Sequence, residues 1–299
     1  MIPANFEYES PRDLNEALAL LSSREDAKIL AGGHSLLPAM KLRLSAPALL
    51  VDLGRIAGLS YVREVGDRIH IGAMTRHAEV ASSSLLQAHS PLLARAAAHI
   101  GDVQVRNCGT LGGSLAHADP AADYPAAVLA LNAELVAMSK AGERVIPARE
   151  FFTGLFTTAL RANEILTEVR VPVTNGLGTA YLKFAHPASG FAVVGVAALV
   201  KTDGKTIDRA AVGITGVGQT AYRASAVENA IAGQPLSAIA SAAQHAADNV
   251  EPLGDTFASA EYRRHLARVF TRRALEQAAQ GSLERPGVGR SGVEGARRK

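Results

Sequence analysis

Apolar positions recur along the chain at two spacings, and the switching between them predicts the elements. Leu14, Ala17, Leu18 and Leu21 repeat at helical spacing behind Ser10-Pro11, a capping residue and a proline suited to a first turn, so an opening helix is expected there. Ala27 to Ala31 is a short apolar run that stops at Gly32-Gly33, the pattern of a strand entering a tight glycine loop. Leu49 to Leu53 reads as another strand. Tyr61 to Val65 and Arg68 to Ile71 alternate about Gly66-Asp67 and predict a hairpin, as do Glu134 to Met138 and Arg144 to Ile146 about Ser139 to Glu143. Pro91 to Ile100 and Ala126 to Leu131 read as helices, Arg106 to Asp123 as loop, and Ile165 to Val171 as a strand stopped by Pro172.

Thr174-Asn175-Gly176-Leu177-Gly178 interrupts two apolar stretches and marks a domain boundary. Beyond it, strand patterns at Tyr181 to Phe184, Ala192 to Lys201 and Ile207 to Ile214 precede helical patterns at Ala224 to Ala232, Ser237 to Asn249 and Glu261 to Ala278. Strands grouped before helices, with hairpin signals, predict an α+β protein divided into 1–175, 176–280 and a basic, disordered tail at 281–299.

Composition narrows the function. At 299 residues with 48% hydrophobic and 20% charged positions, the chain can bury a sizeable core. Its net charge of +3 resides in the tail, where Arg285, Arg290, Arg297, Arg298 and Lys299 face only Glu284 and Glu294, so the body is neutral and no nucleic-acid partner is expected. The longest apolar stretches, such as Phe191 to Val200, fall well short of the roughly 18 residues needed to span a membrane. Met1 to Ser10 lacks the pattern of a targeting peptide, so a cytoplasmic location is expected. One cysteine, Cys108, excludes an intramolecular disulfide or a cysteine-held cluster on this chain.

Two segments carry candidate chemistry. Leu30-Ala31-Gly32-Gly33-His34-Ser35-Leu36-Leu37-Pro38 pairs glycines, which let a backbone approach an anion closely, with the Ser35 hydroxyl. Gly109-Thr110-Leu111-Gly112-Gly113-Ser114 repeats the device and is followed by Asp119-Pro120-Ala121-Ala122-Asp123, where Asp123 offers an acceptor for sugar or polyol hydroxyls. A diphosphate with polar ends suits both; each alone is equally a tight turn.

With Met40-Lys41 and Arg106-Asn107, these motifs make the chain resemble the FAD-binding medium subunit of molybdenum hydroxylases, the family of carbon monoxide and xanthine dehydrogenases. The likeness runs from Phe6-Glu7-Tyr8 through Glu261 to Ala278. It implies a two-lobed FAD domain of the vanillyl-alcohol-oxidase (PCMH) type, followed by a domain with a three-stranded antiparallel sheet and helices. It also implies that Leu30, Ala31, Gly32, Gly33, His34, Ser35, Leu36 and Leu37 surround the FAD diphosphate. Thr110, Leu111, Gly112, Gly113 and Ser114 would form a second loop, and Asp123 would meet the ribose or ribityl hydroxyls. Ile100, Leu166 and Lys183 match further cofactor contacts, with Lys183 a cation that would favour the anionic reduced ring. Phe191 falls where some relatives carry a tyrosine, so it would keep a stacking surface beside the flavin without the hydroxyl, and Ser114 stands where relatives often carry asparagine.

The resemblance further implies a large molybdopterin-binding partner and a small [2Fe–2S] partner, arranged as a dimer of heterotrimers. Electrons would leave FAD for a quinone, NAD or oxygen, and no side chain here would be a catalytic acid, base or nucleophile. Rival readings are a self-sufficient flavin oxidase or reductase on the same fold and a non-enzymatic scaffold. Gly287-Val288-Gly289-Arg290-Ser291-Gly292 matches G-x-G-x-x-G by coincidence, lacking a strand before it and a helix after it. No metal site is expected, Cys108 reads as a packing residue, and Arg263-Arg264 and Arg272-Arg273 are expected on solvated faces of the last helix, with subunit contact as the alternative.

Overall fold

The structure is a computed structural model and describes residues 1–284. Three hydrophobic cores follow one another along the chain. The first region runs β1 (Glu7–Glu9), α1 (Leu14–Ser23), β2 (Ala27–Leu30), α2 (Leu36–Lys41) and β3 (Leu49–Asp52). Its strands form a parallel sheet in the order β1-β3-β2, covered by Ala17, Leu18 and Leu21 of α1. Asp13 caps α1 by accepting from the Glu16 N–H at 2.9 Å, which corrects the expected start at Ser10-Pro11. A carboxylate one turn closer to the apolar stripe out-competes the serine.

The second region begins with the hairpin of β4 (Val62–Val65) and β5 (Arg68–Gly72). Six helices follow: α3 (His77–Ser82), α4 (Ser84–His89), α5 (Pro91–Ala98), α6 (Val103–Cys108), α7 (Leu111–His117) and α8 (Asp123–Ala130). Then come β6 (Glu134–Ser139), β7 (Gly142–Pro147), α9 (Ala148–Phe151), β8 (Phe152–Gly154), β9 (Thr157–Thr158) and β10 (Ile165–Pro172). An antiparallel sheet of order β4-β5-β10-β6-β7 backs the helices. The segment expected as loop, Arg106 to Asp123, is thus mostly helical. Asp102 and Thr110 cap α6 and α7 through their side chains, and the glycines of α7 serve packing: a methyl on Gly112 would lie 2.5 Å from the Ala73 Cβ. Glycine inside a helix reads as a breaker unless the neighbouring backbone is known.

The third region holds β11 (Gly178–Ala185), β12 (Ala192–Thr202), β13 (Ile207–Thr215) and β14 (Tyr222–Arg223), an antiparallel sheet in chain order with one short strand more than expected. Helices α10 (Ser225–Ile231), α11 (Ile239–Ala242) and α12 (Ala260–Glu284) complete it. The single helix expected over Ser237 to Asn249 is instead α11 flanked by 3-10 turns at Leu236–Ala238 and Ala243–His245. Helix α12 runs on to Glu284, so the tail expected from Gly281 is helical in its first four residues; the rest of it, with the glycine pattern at 287–292, lies outside the described residues. Arg263 is buried rather than solvated, donating to the Val193 carbonyl at 2.7 Å and the Gly216 carbonyl at 2.6 Å and pairing with Asp255. Cys108 is exposed, not packed.

Backbone contacts weld the second and third regions. All eight residues of α8 are buried, and Gly213 in β13 lies so close that a Cβ there would meet the Ala126 carbonyl oxygen at 2.0 Å. The Pro120 carbonyl accepts from both the Gly216 N–H and the Thr215 hydroxyl at 2.7 Å, while Ala192 N–H donates to the Ala121 carbonyl at 3.1 Å. No helix among the described residues is long and apolar enough to cross a membrane.

Candidate functional site

The two glycine segments meet. A Cβ on Gly32 would fall 2.3 Å from the Cys108 carbonyl oxygen and 2.7 Å from the Gly109 Cα, and one on Gly113 would fall 3.3 Å from the Ala31 Cβ. Backbone therefore touches backbone where β2 runs into α2 and where α6 hands over to α7. Their chemistry differs. Among the described residues, the N–H groups of Gly32, Gly33, His34, Ser35 and Leu36 have no acceptor on the chain; the first one spent is Leu37, on the Gly33 carbonyl at 3.0 Å. Gly33 takes φ +75°, and Ser35 precedes α2 without capping it through its side chain. A row of free donors and a free hydroxyl at a sharp turn suits an anion.

The second segment spends its donors internally. Leu111 donates to the Thr75 carbonyl, Gly112 to the Ala73 carbonyl, Gly113 to the Thr110 hydroxyl and Ser114 to the Thr110 carbonyl. Thr110 to Ser114, expected as a loop, is a helix start capped by Thr110, and its glycines permit close packing. Beneath both segments lies His77, 4% exposed, its N–H on the Gly109 carbonyl and its ring against Tyr124. Burial first, then the charges of His34 and Arg106, push its pKa down to about 4.

From Cys108 the site continues along α6. The Arg106 guanidinium donates to the Ile100 carbonyl at 2.9 Å and the Gly101 carbonyl at 3.2 Å, and half-buried Ile100 packs on the main core. Lys183 Nζ reaches this turn, donating to the His99 carbonyl at 2.9 Å and pairing with Asp123 Oδ2 at 2.9 Å. Its side chain is 3% exposed, so this lysine is a buried cation. Asp123, the first residue of α8, gives its other oxygen to the Tyr181 hydroxyl at 2.5 Å. Burial raises the Asp123 pKa while Lys183 opposes the shift, and burial beside Asp123 holds the Tyr181 phenol protonated.

The remaining expected contacts separate. Phe191 is 43% exposed, in the β11–β12 connection whose Gly190 approaches Gly101. Leu166, 5% exposed, is a core side chain on β10. Each Asp123 oxygen accepts one bond within the chain, from Tyr181 and from Lys183, and a carboxylate keeps further lone pairs for a ligand hydroxyl. Tyr181 escaped notice, although it lies two residues before Lys183 on one strand and so shares its face. The His99 carbonyl carries no signal in the sequence at all.

The glycine turn fits a dinucleotide, because its unspent donors and the Ser35 hydroxyl supply polarity for a diphosphate, while its missing Cβ atoms let the two segments pack backbone to backbone. Comparison with known proteins agrees. Residues 4–174 match the family described as FAD binding domain in molybdopterin dehydrogenase, and residues 179–278 match the CO dehydrogenase flavoprotein C-terminal domain. The chain is 41% identical to the carbon monoxide dehydrogenase medium chain of Hydrogenophaga pseudoflava, over 93% of this chain and 98% of that one. It is 36% identical to the caffeine dehydrogenase subunit beta of Pseudomonas sp. strain CBB1, over 93% and 96%. A solved structure of quinoline 2-oxidoreductase from Pseudomonas putida 86 superposes with TM-score 0.90 at 33% identity, covering 95% of this chain and all of that one. The chain accordingly belongs to the FAD-binding subunits of the molybdenum hydroxylases, and is an oxidoreductase subunit.

Proposed function

We propose that this chain holds one FAD with its diphosphate at Gly32 to Leu36 and passes electrons from a small [2Fe–2S] subunit to a quinone, NAD or oxygen. The unspent row of N–H groups at Gly32 to Leu36 carries this reading. FAD, when bound, supplies the redox chemistry, accepting and releasing electrons at its ring. The chain's own residues bind and orient. Gly33 bends the backbone at φ +75°, the unspent N–H groups beside it and the Ser35 hydroxyl would hold the diphosphate, and Gly113 lets the second segment pack close against Ala31. Buried Lys183, on the His99 carbonyl next to Ile100, would supply a cation to the flavin ring, and exposed Phe191 would supply a flat apolar surface beside it.

Substrate oxidation belongs to a large molybdopterin-binding partner, and the complex is a dimer of heterotrimers. The exposed thiol of Cys108 suits a reducing compartment, which supports work in the cytoplasm. FAD titration of the purified apo-chain tests the site through quenching of flavin fluorescence. One FAD per chain is expected, and Ser35→Ala lowers the affinity about tenfold, the loss of one hydrogen bond to a charged group. Co-purification with a cysteine-rich chain and a very large chain tests the partnership.

A further inference from the structure

The Asp123–Lys183 pair does not stand alone, and the third member comes from the strand that carries the lysine. Tyr181 and Lys183 occupy one face of β11, two residues apart. The Tyr181 hydroxyl donates to Asp123 Oδ1 at 2.5 Å, while Asp123 Oδ2 accepts from Lys183 Nζ at 2.9 Å, so one carboxylate bridges the phenol and the ammonium. The fold makes room for this phenol. Gly195 of β12 stands in register with Lys183, and a Cβ on it would lie 2.6 Å from the Tyr181 hydroxyl oxygen. The His99 ring lies 5.6 Å from the Tyr181 ring, and the His99 carbonyl takes a second Lys183 proton at 2.9 Å. The ammonium thus has two of its three donors fixed and one left over.

We propose that Tyr181 is the positioning residue that sets how strongly Lys183 favours reduced over oxidised flavin. The inference rests on the FAD site proposed above. The phenol's proton draws charge from Asp123, so the carboxylate cancels less of the lysine's field. Without it, the full carboxylate charge falls on Lys183 and less positive potential reaches the ring end of the site. Tyr181 is 3% exposed and its hydroxyl is bonded to Asp123, so it would act on the ring through Asp123 rather than by contact.

The test is the two-electron midpoint potential of the FAD-loaded chain, wild type against Tyr181→Phe, after flavin absorbance has confirmed loading of both. Tyr181→Phe is expected to bind oxidised FAD within about twofold of wild type and reduced FAD about tenfold more weakly, a fall of about 30 mV for a two-electron couple. Gly195→Ala, which pushes a methyl against the phenol oxygen, is expected to lower the potential in the same direction. An unchanged potential in loaded Tyr181→Phe, or a rise, overturns the inference and leaves the FAD site standing. Failure of the wild-type chain to take up FAD would instead overturn the site itself.

Discussion

At the scale of single residues, the four motif glycines and the serine between them do different work. Gly33 sits at φ +75°, so Gly33→Ala pays the left-handed penalty of about 1–2 kcal/mol and also crowds Leu37. Gly112→Ala drives a methyl to within 2.5 Å of the Ala73 Cβ and 2.8 Å of its carbonyl oxygen, an overpacking cost of about 1–3 kcal/mol. Both are expected to weaken FAD binding, partly by loosening the fold. Ser35 makes no cap with its side chain, so Ser35→Ala is expected to leave urea unfolding within about 0.5 kcal/mol of wild type and to weaken FAD alone. His77 adds a pH dependence. Its folded pKa of about 4 lies below the ordinary value near 6.5, so the unfolded chain takes up a proton that the folded one refuses. The neutral ring's contribution is complete above pH 6.5 and is lost as pH falls toward 4, by about 3 kcal/mol. Unfolding curves at pH 7.5 and 4.5 should diverge by less in His77→Phe than in wild type. Equal divergence would mean that His77 is not the group responsible; His99 and His117, also lowered by burial, act in the same direction.

At the scale of elements, Arg263 ties α12 to the ends of β12 and β13. Arg263→Met strands the Val193 and Gly216 carbonyls and should cost about 3 kcal/mol in chemical denaturation, whereas Arg264→Met, on the exposed side, should stay within about 0.5 kcal/mol. Nothing in the sequence separates these adjacent arginines, because burial of one depends on carbonyls some 50 to 70 residues away. Elements governed by local pattern were legible: the hairpins β4–β5 and β6–β7, the long strands β10 to β13, and the apolar stripe of α1. Those governed by a distant backbone were not. Helix α7 reads as loop because its glycines answer to Ala73, and α11 breaks from its alanine-rich surroundings because only Ile239 and Ala242 of it are buried. Of the proposed site, the glycine turn and Asp123 stood out as residue types at recognisable spacing, whereas Lys183 entered only through the family resemblance. The division of labour, with donors free in one segment and spent in the other, depends on hydrogen bonds to Thr75 and Ala73 that no local pattern announces.

At the scale of the molecule, the site forms where separately cored regions meet. The glycine turn belongs to the first region, α6 to α8 to the second, and Lys183 and Phe191 to the third. The Pro120 and Ala121 carbonyls accept from Gly216, Thr215 and Ala192 and hold the last two in fixed relation, so under the proposed placement a ligand reaching from the glycine turn to Lys183 would bridge all three. A ligand that binds only this assembled state stabilises it by mass action, about 2.7 kcal/mol at a free concentration one hundred times its Kd. The most direct measurement is therefore equilibrium FAD binding to the purified chain, wild type beside Ser35→Ala, with unfolding followed on the same samples. One FAD per wild-type chain, affinity about tenfold lower in Ser35→Ala and equal stability of the two apo-chains is the predicted result. Equal FAD affinity in both, or no FAD bound by a folded wild-type chain, would contradict the placement of the diphosphate at Gly32 to Leu36.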